Sequence, residues 1–297
     1  MKADAFWAWY QAGRPPFFVA TLIPLSLGAA IAWRAGHWNP NLWFLVLLAS
    51  FLVHLATNLS NDYFEFLSGA DDGDSLGGSR VLHEGKITTV QLGRAIVLLY
   101  SVAFVLGIWI VAASAVWWLA LIMLFSFASS LFYTAPPVRY GYHGLGELFV
   151  GINMGPVMVV GTCAALTGQF LPRALWASIP IGLLVASILF YQSLPDMDCD
   201  KAVGKYTLAV RLGRAKALWG LRGFLVGGLA SVVILALAGA VHPFALLALG
   251  GIPQIIKIDR MVRATQDWRD LHERGGAVRL FYLLVGLILL LSVMLFG

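Results

Sequence analysis

The sequence predicts an all-α, polytopic membrane protein, a bundle of nine transmembrane helices. Three observations point there. Of the 297 residues, 60% are hydrophobic and only 12% charged, about half the charged share of a soluble domain. Mean hydropathy is +0.82. Apolar runs approaching the roughly 20 residues that cross a bilayer recur nine times. This composition excludes a disordered chain, a nucleic-acid-binding domain and an ordinary cytosolic enzyme. Cys163 and Cys199 are too few and too far apart for a disulfide framework or a zinc site.

Taken in order, the stretch 1–16 carries Trp7, Trp9 and Tyr10 without a small-residue cleavage pattern. It reads as an interfacial segment rather than a signal peptide. The nine runs fall near 17–33, 42–59, 95–113, 116–133, 148–166, 175–194, 218–238, 243–256 and 280–296. The first is slightly short. The eighth is shorter still and interrupted by Pro253, so it reads as tilted, broken or sheltered by neighbours. The whole chain, 1–297, reads as one membrane domain with two polar loops, about 58–94 and 192–217.

With nine spans, the connections after even-numbered spans share the side of the amino terminus. Eighteen of the twenty Lys and Arg then lie on that side, leaving Arg34 and Arg173 opposite. The positive-inside rule makes the amino-terminal side cytoplasmic, and the membrane is read as the cell inner membrane. The acids all lie there too, and since acids contribute little to orientation, chemistry is their expected reason. The cytoplasmic loops after spans two, six and eight are also the long ones, and loops of that length are commonly functional.

The first polar loop opens at the end of span two with Asn58, Asn61, Asp62, Tyr63 and Glu65, followed by Asp71, Asp72 and Asp74. If the helix continues, Asn58, Asn61, Asp62 and Glu65 share one face by the i, i+3, i+4 rule. Two carboxylates with amide neighbours make a hard-oxygen site suited to Mg²⁺, which keeps waters and bridges to substrate phosphates. The second loop follows span six with Gln192, Pro195, Asp196, Asp198, Cys199 and Asp200, then Gly204-Lys205. Gln192, Asp196 and Asp200 align at i, i+4, i+8, Asp198 points elsewhere, and Pro195 marks a kink or restart. Three acids so close repel one another unless cations neutralise them. With Arg80, Lys86, Lys205 and Arg211 nearby, two such clusters on one side fit a diphosphate held through divalent ions. Its remainder would lie among apolar helices.

These residues resemble the UbiA superfamily of intramembrane prenyltransferases, which carries two Asp-rich motifs after helices two and six of a nine-helix bundle. Asn61-Asp62-Tyr63-Phe64-Glu65 is similar to the family's N-D-x-x-D, with Glu last. Asp196-Met197-Asp198-Cys199-Asp200 is similar to its D-x-E/D-x-D, followed by family-like Gly204-Lys205-Tyr206-Thr207-Leu208 and Arg211-Leu212-Gly213. Three further stretches resemble the menaquinone branch, the 1,4-dihydroxy-2-naphthoate polyprenyltransferases. They are Gly69-Ala70-Asp71, Gly77-Gly78-Ser79-Arg80-Val81-Leu82 with Gly85, and Tyr133-Thr134-Ala135-Pro136-Pro137 leading to Gly144-Leu145-Gly146-Glu147. Two departures stand out. Glu65 replaces the usual Asp, and Gln192-Ser193-Leu194-Pro195-Asp196 replaces that branch's N-N-x-R-D.

The resemblance implies an enzyme that moves a polyprenyl group from its diphosphate to an aromatic acceptor. On this reading Asp62, Glu65, Asp196 and Asp200 hold about two Mg²⁺, with Asn58, Asn61 and Asp71 in support. Arg80, Lys86, Lys205 and Arg211 neutralise the diphosphate as it leaves, and Asp198, Gln192, Tyr133 and Tyr63 lie within reach. Charge appearing in a transition state is where such groups act most. Aromatic faces would shelter an allylic cation. Other acceptors stay open because of the Gln192–Pro195 departure: hydroxybenzoate, homogentisate, a tetrapyrrole or glycerol phosphate. The rival class is a secondary transporter, whose acids usually sit mid-span in broken helices. His54, His83 and His143 read as packed or interfacial residues, and Cys199 as a spacer.

Overall fold

The computed structural model describes residues 2–71 and 75–297, and these form helices and turns with no strand. In chain order the helices are α1 (Lys2–Gly13), α2 (Val19–Arg34), α3 (Pro40–Ser68), α4 (Thr89–Ser114), α5 (Leu119–Phe132) and α6 (Gly146–Ile152). There follow α7 (Met158–Thr167), α8 (Pro172–Ser193), α9 (Met197–Ala202), α10 (Leu208–Leu237), α11 (Ile252–Ala264) and α12 (Gly276–Phe296). A π-helical turn, Asn153–Val157, joins α6 to α7 around Pro156, whose missing N–H cannot serve the helical ladder. Asn39 caps α3 by accepting from Leu42 N–H, with Pro40 at the first turn. Thr88 and Gln91 close a capping box on α4.

Among the described residues six helices are long and apolar enough to cross a membrane: α3, α4, the α6–α7 run, α8, α10 and α12. A seventh span arises if 4–17 and 19–34, bent by 53°, count together. Nine spans, as read from the sequence, are therefore not reached by length and composition. The fourth apolar run folds as a helix of only 14 residues, because the chain turns at Trp117–Trp118 before α5 begins. The eighth splits into a 3-10 stretch, Pro243–Gly251, and α11. The latter's polar side carries Asp259, which Arg222 binds at 2.6 Å.

Lipid tails are as apolar as leucine, so such helices associate through close packing rather than through escape from water. Three glycines show how. A Cβ on Gly182 of α8 would lie 2.6 Å from the Gly151 carbonyl, and one on Gly155 would lie 2.8 Å from Gly182 Cα. Backbone meets backbone there. Phe190 and Tyr191 on α8 and Phe281 and Tyr282 on α12 are the largest fully buried side chains, with Phe190 against Phe224 of α10. The Tyr191 hydroxyl donates to Leu271 carbonyl at 3.0 Å, tying the peripheral Trp268–Arg274 turn to α8.

The two lone arginines mark one end of the bundle. Arg173, at the start of α8, donates to the Ile31 carbonyl at 3.0 Å, and Arg34 at the end of α2 binds the carbonyl of Gly297. With a rise of about 1.5 Å per residue, the 22 residues of α8 place its other end roughly 33 Å away. That far end is where α3 also finishes.

Candidate active site

The last turns of α3 carry Asn58, Asn61, Asp62 and Glu65, with Asp62 and Glu65 buried. Gly69, at φ 70°, ends the helix in a left-handed cap, its N–H and that of Ala70 returning to the Phe66 and Glu65 carbonyls. Glycine takes this conformation without a Cβ penalty. The chain then doubles back, and residues 75–80 lie across the end of α3. Ser79 donates to Asp62 through its backbone N–H at 3.1 Å and through its hydroxyl. Arg14, in the turn after α1, pairs with the same carboxylate. Leu76 N–H donates to Asp196 Oδ1 at 2.8 Å. That bond joins the two acidic motifs.

On the other side α8 stops at Ser193, Pro195 prevents a smooth continuation, and α9 restarts the helix. Asp200 N–H donates to the Asp196 carbonyl at 2.7 Å, so both carboxylates turn inward while Asp198 is exposed. The turn through Gly204, at φ 76°, brings Lys205 back over them. Its Nζ lies 2.9 Å from Glu65 Oε1 and 3.3 Å from Asp200 Oδ1. One ammonium thus clamps α3 to α9. It also sits 5.7 Å from the centre of the Tyr142 ring.

Five carboxylates, Asp62, Glu65, Asp71, Asp196 and Asp200, are each only 4–6% exposed around this junction. Their paired cations are Arg14 and Lys205, so negative charge is in surplus. Burial, reinforced by Glu65, pushes Asp71 up to about 7. Burial also pushes Asp200 up to about 6, even though Lys205 works against it. Burial opposes the Lys205 charge, but Glu65 and Asp200 outweigh it and hold the ammonium well above its ordinary range. An all-oxygen donor set with unbalanced charge fits a divalent hard cation. Among the described residues no three such groups form a ready-made cage. An ion here would take one or two carboxylates and complete its shell with water and phosphate oxygens, the habit of Mg²⁺.

Beneath the junction a cavity of about 320 Å³ runs into the apolar interior. Arg14, Asn58, Asn61, Tyr133 and Gln192 line it near the carboxylates, and Val46, Gly107, Ile110, Leu119 and Met123 line its far reach. Charged groups at the mouth and a hydrocarbon interior suit a ligand with an anionic head and an apolar tail.

The model of the UbiA prenyltransferase family matches residues 21–270. The chain belongs to the UbiA prenyltransferase family. It is therefore a prenyltransferase of the membrane. It is 33% identical over 251 residues to the 1,4-dihydroxy-2-naphthoate octaprenyltransferase of Bacillus subtilis, covering 84% of this chain and 79% of that protein. The enzyme of the same name from Escherichia coli is 29% identical, with 88% and 86% covered. Among solved structures, a UbiA homologue from Archaeoglobus fulgidus bound to GPP and Mg²⁺ shares the fold. It has a TM-score of 0.62 at 13% identity, covering 95% of this chain and 99% of that one.

Within this UbiA member, the residues singled out from sequence divide into four groups. Asp62, Glu65, Asp71, Asp196, Asp200 and Lys205 meet at the junction. Asn58, Asn61, Tyr133 and Gln192 line the cavity mouth; Asn58 donates to the Gly13 carbonyl at 3.0 Å and Asn61 accepts from Thr134 at 3.1 Å. Arg80 shapes the loop instead, donating to the Asp71 and Ser75 carbonyls at 2.6 and 3.3 Å. The remaining four stand apart. Lys86 is exposed and holds Glu84 and Gln11 at 2.6 and 2.9 Å. Arg211 is exposed beside Gly144, Asp198 faces outward, and Tyr63 packs toward α4 with Leu59 and Leu92. Asp72 and Asp74 lie outside the described residues. Sequence reasoning missed Arg14 and Ser79 as partners of Asp62, since contacts 48 and 17 residues apart leave no periodic trace.

Gly77 and Gly78 form the inner wall of the loop. A Cβ on Gly78, at φ 72°, would stand 2.5 Å from Asp71 Oδ2 and 3.5 Å from Asp62 Oδ1. Gly78→Ala is expected to displace the carboxylates, lower the melting temperature and cut transfer at least about tenfold, or about 1.4 kcal/mol. Gly85→Ala shares the left-handed φ but meets open space, so it carries only a backbone cost of about 1–2 kcal/mol. Initial rates and thermal unfolding of the two variants in detergent make the comparison.

Proposed function

We propose that the protein transfers a polyprenyl group from its diphosphate to 1,4-dihydroxy-2-naphthoate, in a Mg²⁺-dependent reaction serving menaquinone synthesis. One observation carries this reading: two acidic helix ends distant in sequence meet at the mouth of an apolar cavity, where Lys205 bridges Glu65 and Asp200 and the loop after α3 bonds Asp196 through Leu76 N–H. The names of the bacterial relatives support the acceptor, and the GPP and Mg²⁺ in the Archaeoglobus structure support the donor and the ion.

Asp62 and Glu65 from α3, with Asp196 and Asp200 across the junction, would hold the Mg²⁺. Bound there, the ion lends positive charge to the departing diphosphate. Lys205 exchanges its carboxylate partners for a phosphate oxygen, and Arg14 stands beside the same anion. Asn58 and Asn61 offer amides at the rim. Below them the cavity takes the prenyl chain and keeps water from the allylic carbon, and the Tyr133 ring faces that carbon with its electron-rich surface. The aromatic acceptor enters the same cavity and attacks the allylic carbon from which the diphosphate departs, and its ring then loses a proton or, for the naphthoate, CO₂. The shorter helix α5 and the Pro243–Ala264 segment complete a nine-helix bundle. The bundle sits in the inner membrane with the amino terminus and the acidic junction toward the cytoplasm, following the charge bias.

The test is purified protein with a labelled polyprenyl diphosphate, the naphthoate and other aromatic acceptors. Prenylated naphthoquinol product is expected with Mg²⁺ and none after EDTA, with activity returning on re-addition of Mg²⁺. Undiminished transfer after chelation would overturn the role given to the carboxylates, and a preference for another acceptor would overturn the naphthoate assignment.

A further inference from the structure

His54 lies on the cavity wall, one turn before Asn58 and two turns before Asp62 on α3, about 12 Å along the axis from the latter. Its ring is held from two sides. Nδ1 is 2.5 Å from Thr21 Oγ1 on α2, and the Phe18 ring meets it edge to face with centres 5.5 Å apart. Nε2 makes no hydrogen bond with the described residues, and it is not enclosed among the buried polar atoms that lack partners. It therefore opens to the cavity.

Several other polar groups along the cavity are committed to one another, although Thr162 Oγ1 is buried there without a partner. Thr57, Ser130 and Tyr100 bind one another, and the Asn153 amide donates to Ser129 Oγ and the Phe149 carbonyl at 2.7 and 2.8 Å. A polyprenyl chain is hydrocarbon and offers an imidazole nitrogen nothing, so such a nitrogen beside it would remain unpaired at a cost. A hydroxylated aromatic ring offers an oxygen. The Thr21 hydroxyl can donate to Nδ1 or accept from it, so Nε2 can present either a proton or a lone pair. Resting on the aromatic-acceptor reading above, we infer that His54 positions the acceptor through a hydrogen bond from Nε2 to one of its ring oxygens, with Thr21 setting the imidazole.

The experiment compares His54→Phe, which keeps an aromatic ring, His54→Gln, which keeps a polar end, and Thr21→Val. His54→Phe is expected to raise KM for the aromatic acceptor at least tenfold while KM for the polyprenyl diphosphate stays within twofold. His54→Gln should recover most of that loss, and Thr21→Val should fall between. Methylating the acceptor hydroxyls should weaken the wild type but add little to His54→Phe. Unchanged acceptor KM in both His54 variants, or equal rises for both substrates, would overturn the inference. If His54→Phe does not fold, an unaltered acceptor KM in Thr21→Val together with wild-type sensitivity of His54→Leu to methylation would do the same. Should the wild type reject the naphthoate and use another phenol, the naphthoate reading fails, and the same KM split on that phenol decides His54.

Discussion

Asp62→Asn and Asp196→Asn are each expected to reduce prenyl transfer at least about 10³-fold, equivalent to about 4 kcal/mol of lost transition-state stabilisation. Asparagine preserves the shape of each side chain. An amide oxygen at Asp62 can still accept from Ser79 N–H, and one at Asp196 can still accept from Leu76 N–H. What disappears is the negative charge that would fix a divalent ion against the diphosphate. At Asp62 the change also leaves the Arg14 guanidinium without its carboxylate. Both variants should insert and elute as the wild type does, because each amide keeps the loop hydrogen bond of its carboxylate, and Asp62→Asn should melt at a lower temperature with Arg14 unpaired. Asp198→Asn is the control: it lies between two buried acids in sequence yet faces outward, and its activity should stay within about twofold, as expected of a surface change. Initial rates of product and pyrophosphate formation check all three. Near-native transfer by either of the first two would sink the two-motif mechanism.

Much of this arrangement was legible because membrane and helix physics leave periodic marks. Apolar runs located the helices, and the three-and-four spacing of Asn58, Asn61, Asp62 and Glu65 placed them on one side of α3. Pro195 marked the break before α9, and the one-sided charges foretold that the ends of α3 and α8 would share one end of the bundle. Among the described residues, length and composition reach six or seven of the nine spans read from the sequence, because hydropathy ignores backbone breaks. The run at 116–133 includes the turn at Trp117–Trp118 and leaves α5 with 14 residues. The run at 243–256 spreads over a 3-10 stretch and the first turn of an amphipathic helix. Contacts set by tertiary folding left no local signal either. Lys86 stands near Arg80 in sequence, but the loop turns its ammonium outward to Glu84 and Gln11. Arg14, in a stretch read as interfacial, lies against Asp62. His54 resembled a packed core histidine until α2 supplied Thr21 to one nitrogen and the cavity exposed the other.

Lys205→Met is expected to separate two roles that one ammonium combines. In the wild type, Lys205 neutralises Glu65 and Asp200 across the junction while only 15% exposed. Without it those carboxylates confront each other with no near cation, and breaking a buried pair from one side costs about 3–5 kcal/mol. The variant should therefore melt at a lower temperature in metal-free buffer. Mg²⁺ would then bind carboxylates that no ammonium occupies. Because a ligand selective for the folded state stabilises it by mass action, added Mg²⁺ should raise the melting temperature more in the variant than in the wild type. Catalysis should move the other way. Methionine cannot donate to the departing diphosphate, so kcat/KM should fall about 10²–10³-fold, the range seen when a preorganised donor is removed. Recovered stability without recovered rate is the distinguishing pattern, because a lysine that merely held the fold together would give back both when Mg²⁺ replaced its charge. Equal Mg²⁺ stabilisation of the two proteins would mean that Lys205 and the metal do not compete for Glu65 and Asp200.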